Sequence, residues 1–362
     1  MKRFMKMLLM LLCMSMPAMG QFVTKDVQYY NADSSIHFGG TLTVPSGVKS
    51  FPAVVIVSGT GKQDREGTMA GHKIFKVIAE YLSSNGIAVL RVDDRGTGAT
   101  TGEYEKATTA DFAADAVTSA AFLRAYPGVK AVGLIGHSEG GAAAYMAAVK
   151  SHDIQFIISL AGLATTGLKA LQQQNRAIVA TAGIPLLKQQ RFNQINDIMF
   201  DTAYAYAASP DMEAHLRNAF ALWNTADLAK GEHDSVYAKS REHFFFPLES
   251  YIWQATGPWY RNHIRFDPVP YLKALKVPVL AFNGDKDIMV DADENLGNFK
   301  NYVKNVKVIK VPGLNHLFQH CVTCTMQEPS TLKEEFAPEV LKEMVVWING
   351  MKIDVKGVQF KK

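Results

Sequence analysis

The segment Gly136-His137-Ser138-Glu139-Gly140 constrains this chain more than any other. It follows an apolar run over residues 131–135 and precedes an alanine-rich stretch over 142–149. A serine with glycine two positions away on either side, set between a strand and a helix, marks a sharp turn that lifts a hydroxyl clear of a sheet. The glycines let the chain turn without side-chain collisions, and Gly141, Ala142 and Ala143 let the following helix pack close.

The rest of the chain supplies a sheet for such a turn. Apolar runs recur at 53–57, 88–92, 131–135, 156–160, 277–282 and 306–311. Continuous apolar runs suit strands buried on both faces. Helical patterns at 74–82, 110–123, 142–149 and 334–348 alternate with them, which predicts a mostly parallel sheet flanked by helices. Residues 22–50 read as short strands, with a turn at 31–35. The interval 165–267 breaks the rhythm: it is polar, helical in pattern, and carries Trp223, Trp253 and Trp259. It is expected to be an inserted helical cap, with the core built from 21–164 and 268–362. The aromatic residues Trp223, Phe244, Phe245, Phe246, Trp253, Trp259 and Tyr260 would either enclose an apolar ligand or glue cap to core.

The first twenty residues are not expected to belong to this fold. Lys2, Arg3 and Lys6 precede a short apolar run, and Pro17-Ala18-Met19-Gly20 offers small residues at a cleavage site. This is the pattern of a secretory signal peptide cleaved after Gly20, so the mature protein is expected to be secreted or periplasmic. The run is too short for a permanent membrane span. Leu12 before Cys13 argues against a lipoprotein signal. Cleavage takes the formal charge from +4 to +1, so neither nucleic acid nor another strongly anionic partner is implied. It also removes seven of the fifteen methionines, which leaves little support for a methionine-rich binding surface. Cys321 and Cys324 remain, in a compartment that permits a disulfide. Free thiols, a redox role, or a metal site with His320 are the alternatives.

A serine at such a turn needs an acid and then a histidine further along the chain. Asp287 follows the run at 277–282, and Asp285 is its rival. His316 follows the run at 306–311, and His320 lies further from the strand end. All of these sit at the sheet edge where ligands gather in parallel α/β folds. The backbone N–H groups of Thr60 and Glu139 are the candidate oxyanion donors.

Together these residues resemble the α/β-hydrolase superfamily. More narrowly, they resemble secreted bacterial carboxylesterases whose first active-site loop reads Ser-Gly-Thr-Gly-x-x-Asp-Arg. Here that loop is Ser58-Gly59-Thr60-Gly61-Lys62-Gln63-Asp64-Arg65, joined by Asp93-Asp94-Arg95-Gly96-Thr97-Gly98, the serine turn, and Asn315-His316-Leu317-Phe318-Gln319. Lys62 stands where the pattern often has proline, and Ala99-Thr100-Thr101-Gly102 where it often has serine. The resemblance implies the α/β-hydrolase fold and a serine hydrolase with the triad Ser138, Asp287 and His316. Its substrate would be a small-molecule ester with a short-to-medium acyl chain, and it would need no metal or organic cofactor. A peptidase or acyltransferase with the same triad is the enzymatic alternative, and a non-catalytic binding protein the other. An ion pair between a loop arginine and Glu139 is expected to brace the turn.

Overall fold

The computed structural model describes residues 21–231, 247–354 and 357–360. The leader read over 1–20 and the triplet Phe244, Phe245 and Phe246 lie outside the described residues.

Eight strands form one sheet: β1 (Phe22–Tyr30), β2 (His37–Pro45), β3 (Phe51–Val57), β4 (Ala88–Val92), β5 (Val129–His137), β6 (Ile154–Leu160), β7 (Val279–Gly284) and β8 (Val306–Val311). Their order across the sheet is β1-β2-β4-β3-β5-β6-β7-β8. β2 runs antiparallel to both neighbours, and the strands from β4 to β8 are mutually parallel. The sheet is therefore mixed but mostly parallel.

The continuous apolar runs have a direct physical cause. Along β3, Ala53, Val55 and Val57 face one hydrophobic layer, while Val54 and Ile56 face the other. The first layer holds α2 (Thr109–Arg124), α3 (Glu139–Lys150), α9 (Val269–Ala274) and α10 (Ala292–Tyr302); the second holds α1 (Ile74–Ser84) and α11 (Pro338–Gly350). A strand covered on both faces has no solvent side on which to place polar residues.

Helix ends follow local chemistry. α2 opens on a capping box in which Thr108 and Asp111 satisfy each other's backbone N–H groups. α11 starts at Pro338, four residues later than the periodicity predicts, because proline suits the first helical turn and breaks a helix elsewhere. β7 likewise starts at Val279, just after Pro278, which has no N–H to give the ladder.

Between β6 and α9 the chain forms α4 (Gly167–Thr181), α5 (Leu186–Tyr206), α6 (Met212–Gly231), α7 (Leu248–Thr256) and α8 (Pro258–Ile264). This helical insertion has its own core, which includes Ile195, Met199, Phe200, Leu216, Trp223, Tyr251 and Tyr260. A buried ion pair of 2.7 Å between Arg191 and Asp227 joins α5 to α6. Among the described residues, no helix is long and apolar enough to cross a membrane.

Candidate active site

Ser138 sits at the junction of β5 and α3 with φ 56° and ψ −123°. That conformation is unfavourable for a residue with a side chain and persists only where the surroundings enforce it. They do so here by close approach. A Cβ on Gly136 would lie 2.2 Å from the carbonyl oxygen of Gly140, and one on Gly140 would lie 2.2 Å from that of Val57. Only glycine fits at either position, and the serine between them is raised at the C-terminal edge of the sheet.

His316 lies on the loop after β8. Its Nδ1 is 2.8 Å from Oδ2 of Asp287, whose side chain is fully buried. The Asp287 carboxylate also accepts from the N–H groups of Met289 (2.8 Å) and Val290 (3.0 Å) and from Nδ2 of Asn283 (3.1 Å). A buried carboxylate with this many donors is held in one orientation. Asp285 is placed differently: it accepts the N–H of Gly313 at 2.7 Å and shapes the turn. His320 points away, pairing with Glu334 at 3.0 Å and Glu339 at 3.2 Å.

The sequence reading missed the role of His137. Its ring is buried against that of His316, with centroids 4.7 Å apart, and its Nε2 lies 3.0 Å from the His316 carbonyl oxygen. As the donor in that bond it fixes the backbone of the second histidine. Burial pushes its pKa down to about 3, so it stays neutral while it does this. Only its place inside the pentapeptide could have drawn attention to it.

Ser138, His316, Thr60 and Glu139 line one cavity of about 380 Å³. Among the described residues, the backbone N–H groups of Thr60 and Glu139 have no protein acceptor. The Glu139 side chain is buried, and the structure corrects the expected ion pair. Its carboxylate accepts from Oγ1 of Thr60 (2.7 Å), Oγ1 of Thr109 and Nε1 of Trp259 (2.7 Å), not from an arginine. The nearby arginines are engaged elsewhere: Arg65 with Asp93, Arg91 with Glu66, and Arg95 with Asp115. Asp64 closes a local turn by accepting from Glu66 and Thr68.

The cavity wall bears on the two alternatives for the aromatic residues. Of the aromatic residues singled out that are described, only Trp259 lines it. Trp223 and Tyr260 are buried within the insertion, and Trp253 is 72% exposed. The wall is mainly aliphatic and thioether, with Leu163, Leu171, Ile288 and the methionines Met69, Met289 and Met326. Three of the eight methionines after residue 20 converge here from separate parts of the chain.

Cys321 and Cys324 are joined as a disulfide. Glu328 accepts from the N–H groups of Val322, Thr323 and Cys324. With both sulfurs in the disulfide and this carboxylate occupied, the cluster offers no thiolate to a metal.

Comparison with known proteins agrees with this architecture. A family model described as alpha/beta hydrolase fold matches residues 52–320. Esterase EstD of Thermotoga maritima is 40% identical over 105 residues; the match covers 28% of this chain and 24% of that relative. Among solved structures, the Pyrococcus furiosus esterase Pf2001 aligns with a TM-score of 0.51 at 15% identity, covering 91% of this chain and 92% of that one. A hypothetical protein from Pseudomonas aeruginosa, PA2218, aligns with a TM-score of 0.52 at 14% identity, covering 91% and 93%. These two structures share the fold. The strand order, the serine turn and the family match over most of the sequence lead to one conclusion: the chain belongs to the alpha/beta hydrolase fold family.

Proposed function

We propose that this protein is a serine esterase that cleaves carboxylic esters of short-to-medium acyl chain length. The observation that carries the reading is the 2.8 Å contact of the buried Asp287 with His316, which lines the same cavity as the strained Ser138. The name of the relative EstD supports it. The loop and turn motifs point to the secreted bacterial carboxylesterases, and the leader to action outside the cytoplasm.

The chemistry follows from the arrangement. Asp287 holds the His316 proton on Nδ1, which leaves the Nε2 lone pair to act as a base. His316 takes the Ser138 proton as Oγ bonds to the ester carbonyl carbon, and the carbonyl oxygen becomes an oxyanion. The N–H groups of Thr60 and Glu139 stabilise that charge. The carbon–oxygen bond to the alcohol then breaks, and His316 returns its proton to the leaving alkoxide. Water, deprotonated by His316, attacks the acyl-enzyme in the same way and releases the acid. The apolar wall holds the acyl chain.

The test is hydrolysis of p-nitrophenyl esters from acetate to laurate by residues 21–362, with Ser138→Ala as control. Turnover that declines with the longer chains and vanishes in the variant is expected. No turnover on any ester, with Ser138 still labelled by a fluorophosphonate, would redirect the reading to peptides or bulky natural esters.

A further inference from the structure

The loop over residues 58–63, which carries Thr60, is held from behind by one residue that no step of the reaction uses. Asp94 follows β4 and spans both ends of that loop. One carboxylate oxygen accepts from the Ser58 hydroxyl, and the other accepts the Gln63 N–H at 2.8 Å. The Asp94 N–H in turn donates to the Gln63 carbonyl at 3.1 Å. Between these ties, the Gly61 N–H donates to the Tyr104 hydroxyl at 2.7 Å, and the Thr60 hydroxyl to Glu139 at 2.7 Å. With these neighbouring polar groups anchored, the Thr60 N–H is left without a protein acceptor among the described residues.

We propose that Asp94 is a positioning residue for the oxyanion donor, its carboxylate stapling the loop so that the Thr60 N–H is set for the transition state. The inference rests on the esterase reading above. A purely structural role fits the surroundings poorly. Asp94 is largely buried and has no ion-pair partner among the described residues. The neighbouring arginines serve other carboxylates: Arg65 binds Asp93, and Arg95 binds Asp115. Asp93 and Asp115 add negative charge, and Tyr104 is neutral with its own ionisation suppressed by burial. Burial is the largest influence and pushes the Asp94 carboxyl up to about 7. Folding the ionised form therefore works against stability, and in Asp94→Asn the removal of the charge offsets the tie lost where NH₂ replaces one acceptor oxygen.

That opposition supplies the test. Asp94→Asn, Ser58→Ala and Ser138→Ala are compared with the unaltered protein for kcat and KM on p-nitrophenyl butyrate at pH 8, and for urea unfolding. Expected for Asp94→Asn is a roughly 10- to 100-fold fall in kcat, with KM within about twofold, because a misplaced oxyanion donor weakens transition-state rather than substrate binding. Its unfolding midpoint is expected to stay the same or rise. Ser58→Ala, which removes one tie and keeps the charge, should give a smaller kcat loss. Unchanged kcat in Asp94→Asn overturns the inference, as does a kcat loss that tracks a lowered unfolding midpoint. Full turnover by Ser138→Ala would instead overturn the esterase reading itself, and this inference with it.

Discussion

Glu139 shows how much of a site can hide in one side chain. Its donors lie 79, 30 and 120 residues away in sequence, on a loop, a helix start and the insertion. No pattern local to the pentapeptide carries that information, so charge matching suggested an arginine. Ser138, Asp287 and His316 could be picked out because each follows a strand, and parallel strands bring their C-terminal ends to one edge. Glutamine at 139 offers one acceptor oxygen where glutamate has two, and turns an NH₂ group toward hydrogen-bond donors. Glu139→Gln is therefore expected to lower stability by about 1–3 kcal/mol in urea unfolding, the usual range for losing hydrogen bonds to a buried charge. Thr109→Val removes one of the three donors, and about 1 kcal/mol is the expected loss.

At the level of elements, the strands were the most legible part because burial on both faces writes itself as an unbroken apolar run. β4 falls on the residues that the pattern marks; β8 does too, although it is the edge strand and its Lys307 and Lys310 break the run and are exposed. Helix ends were less legible, since Pro338 rather than periodicity sets the start of α11. The insertion was visible as a break in rhythm, but its described aromatic residues mostly serve its own core. The chain after His316 is different again. Cys324, Thr325 and Met326 line the cavity, and the disulfide closes a short loop that holds them there. The chain-entropy relation gives about 2 kcal/mol for so small a loop. Replacing Cys321 and Cys324 with serine should lower stability by no more than about that amount, and should also broaden the preference among acyl chain lengths. Unfolding curves and a p-nitrophenyl ester series read the two effects separately.

Across the whole molecule, buried titratable groups set opposing responses to pH. His137 in the folded protein is depressed to about 3 by burial, and His263 is lowered for the same reason. From about pH 6.5 downward the unfolded chain binds protons at these sites that the folded chain refuses, so stability falls as pH falls. Asp94 is raised to about 7 and Asp115 is raised too, again by burial. From about pH 4 to 7 the folded chain holds a proton at Asp94 that the unfolded chain releases, and Asp115 acts in the same direction, so both groups lose stability as pH rises. The two sets offset each other over much of the acidic range. His137→Gln should gain stability relative to the unaltered protein on going from pH 8 to pH 5. Asp94→Asn should gain on going the other way. Urea unfolding at the two values checks the sign of each slope.

The bond from Trp259 on α8 to Glu139, the residue after the serine, joins the insertion to the first turn of α3. The insertion is thus not an exchangeable cassette. A chimera that grafts another family member's helices between β6 and β7 would leave the Glu139 carboxylate one donor short. It would place that fault beside Ser138 even with every strand intact. Engineering new selectivity by swapping this region therefore has to carry the indole along, or redesign position 139 in the same step.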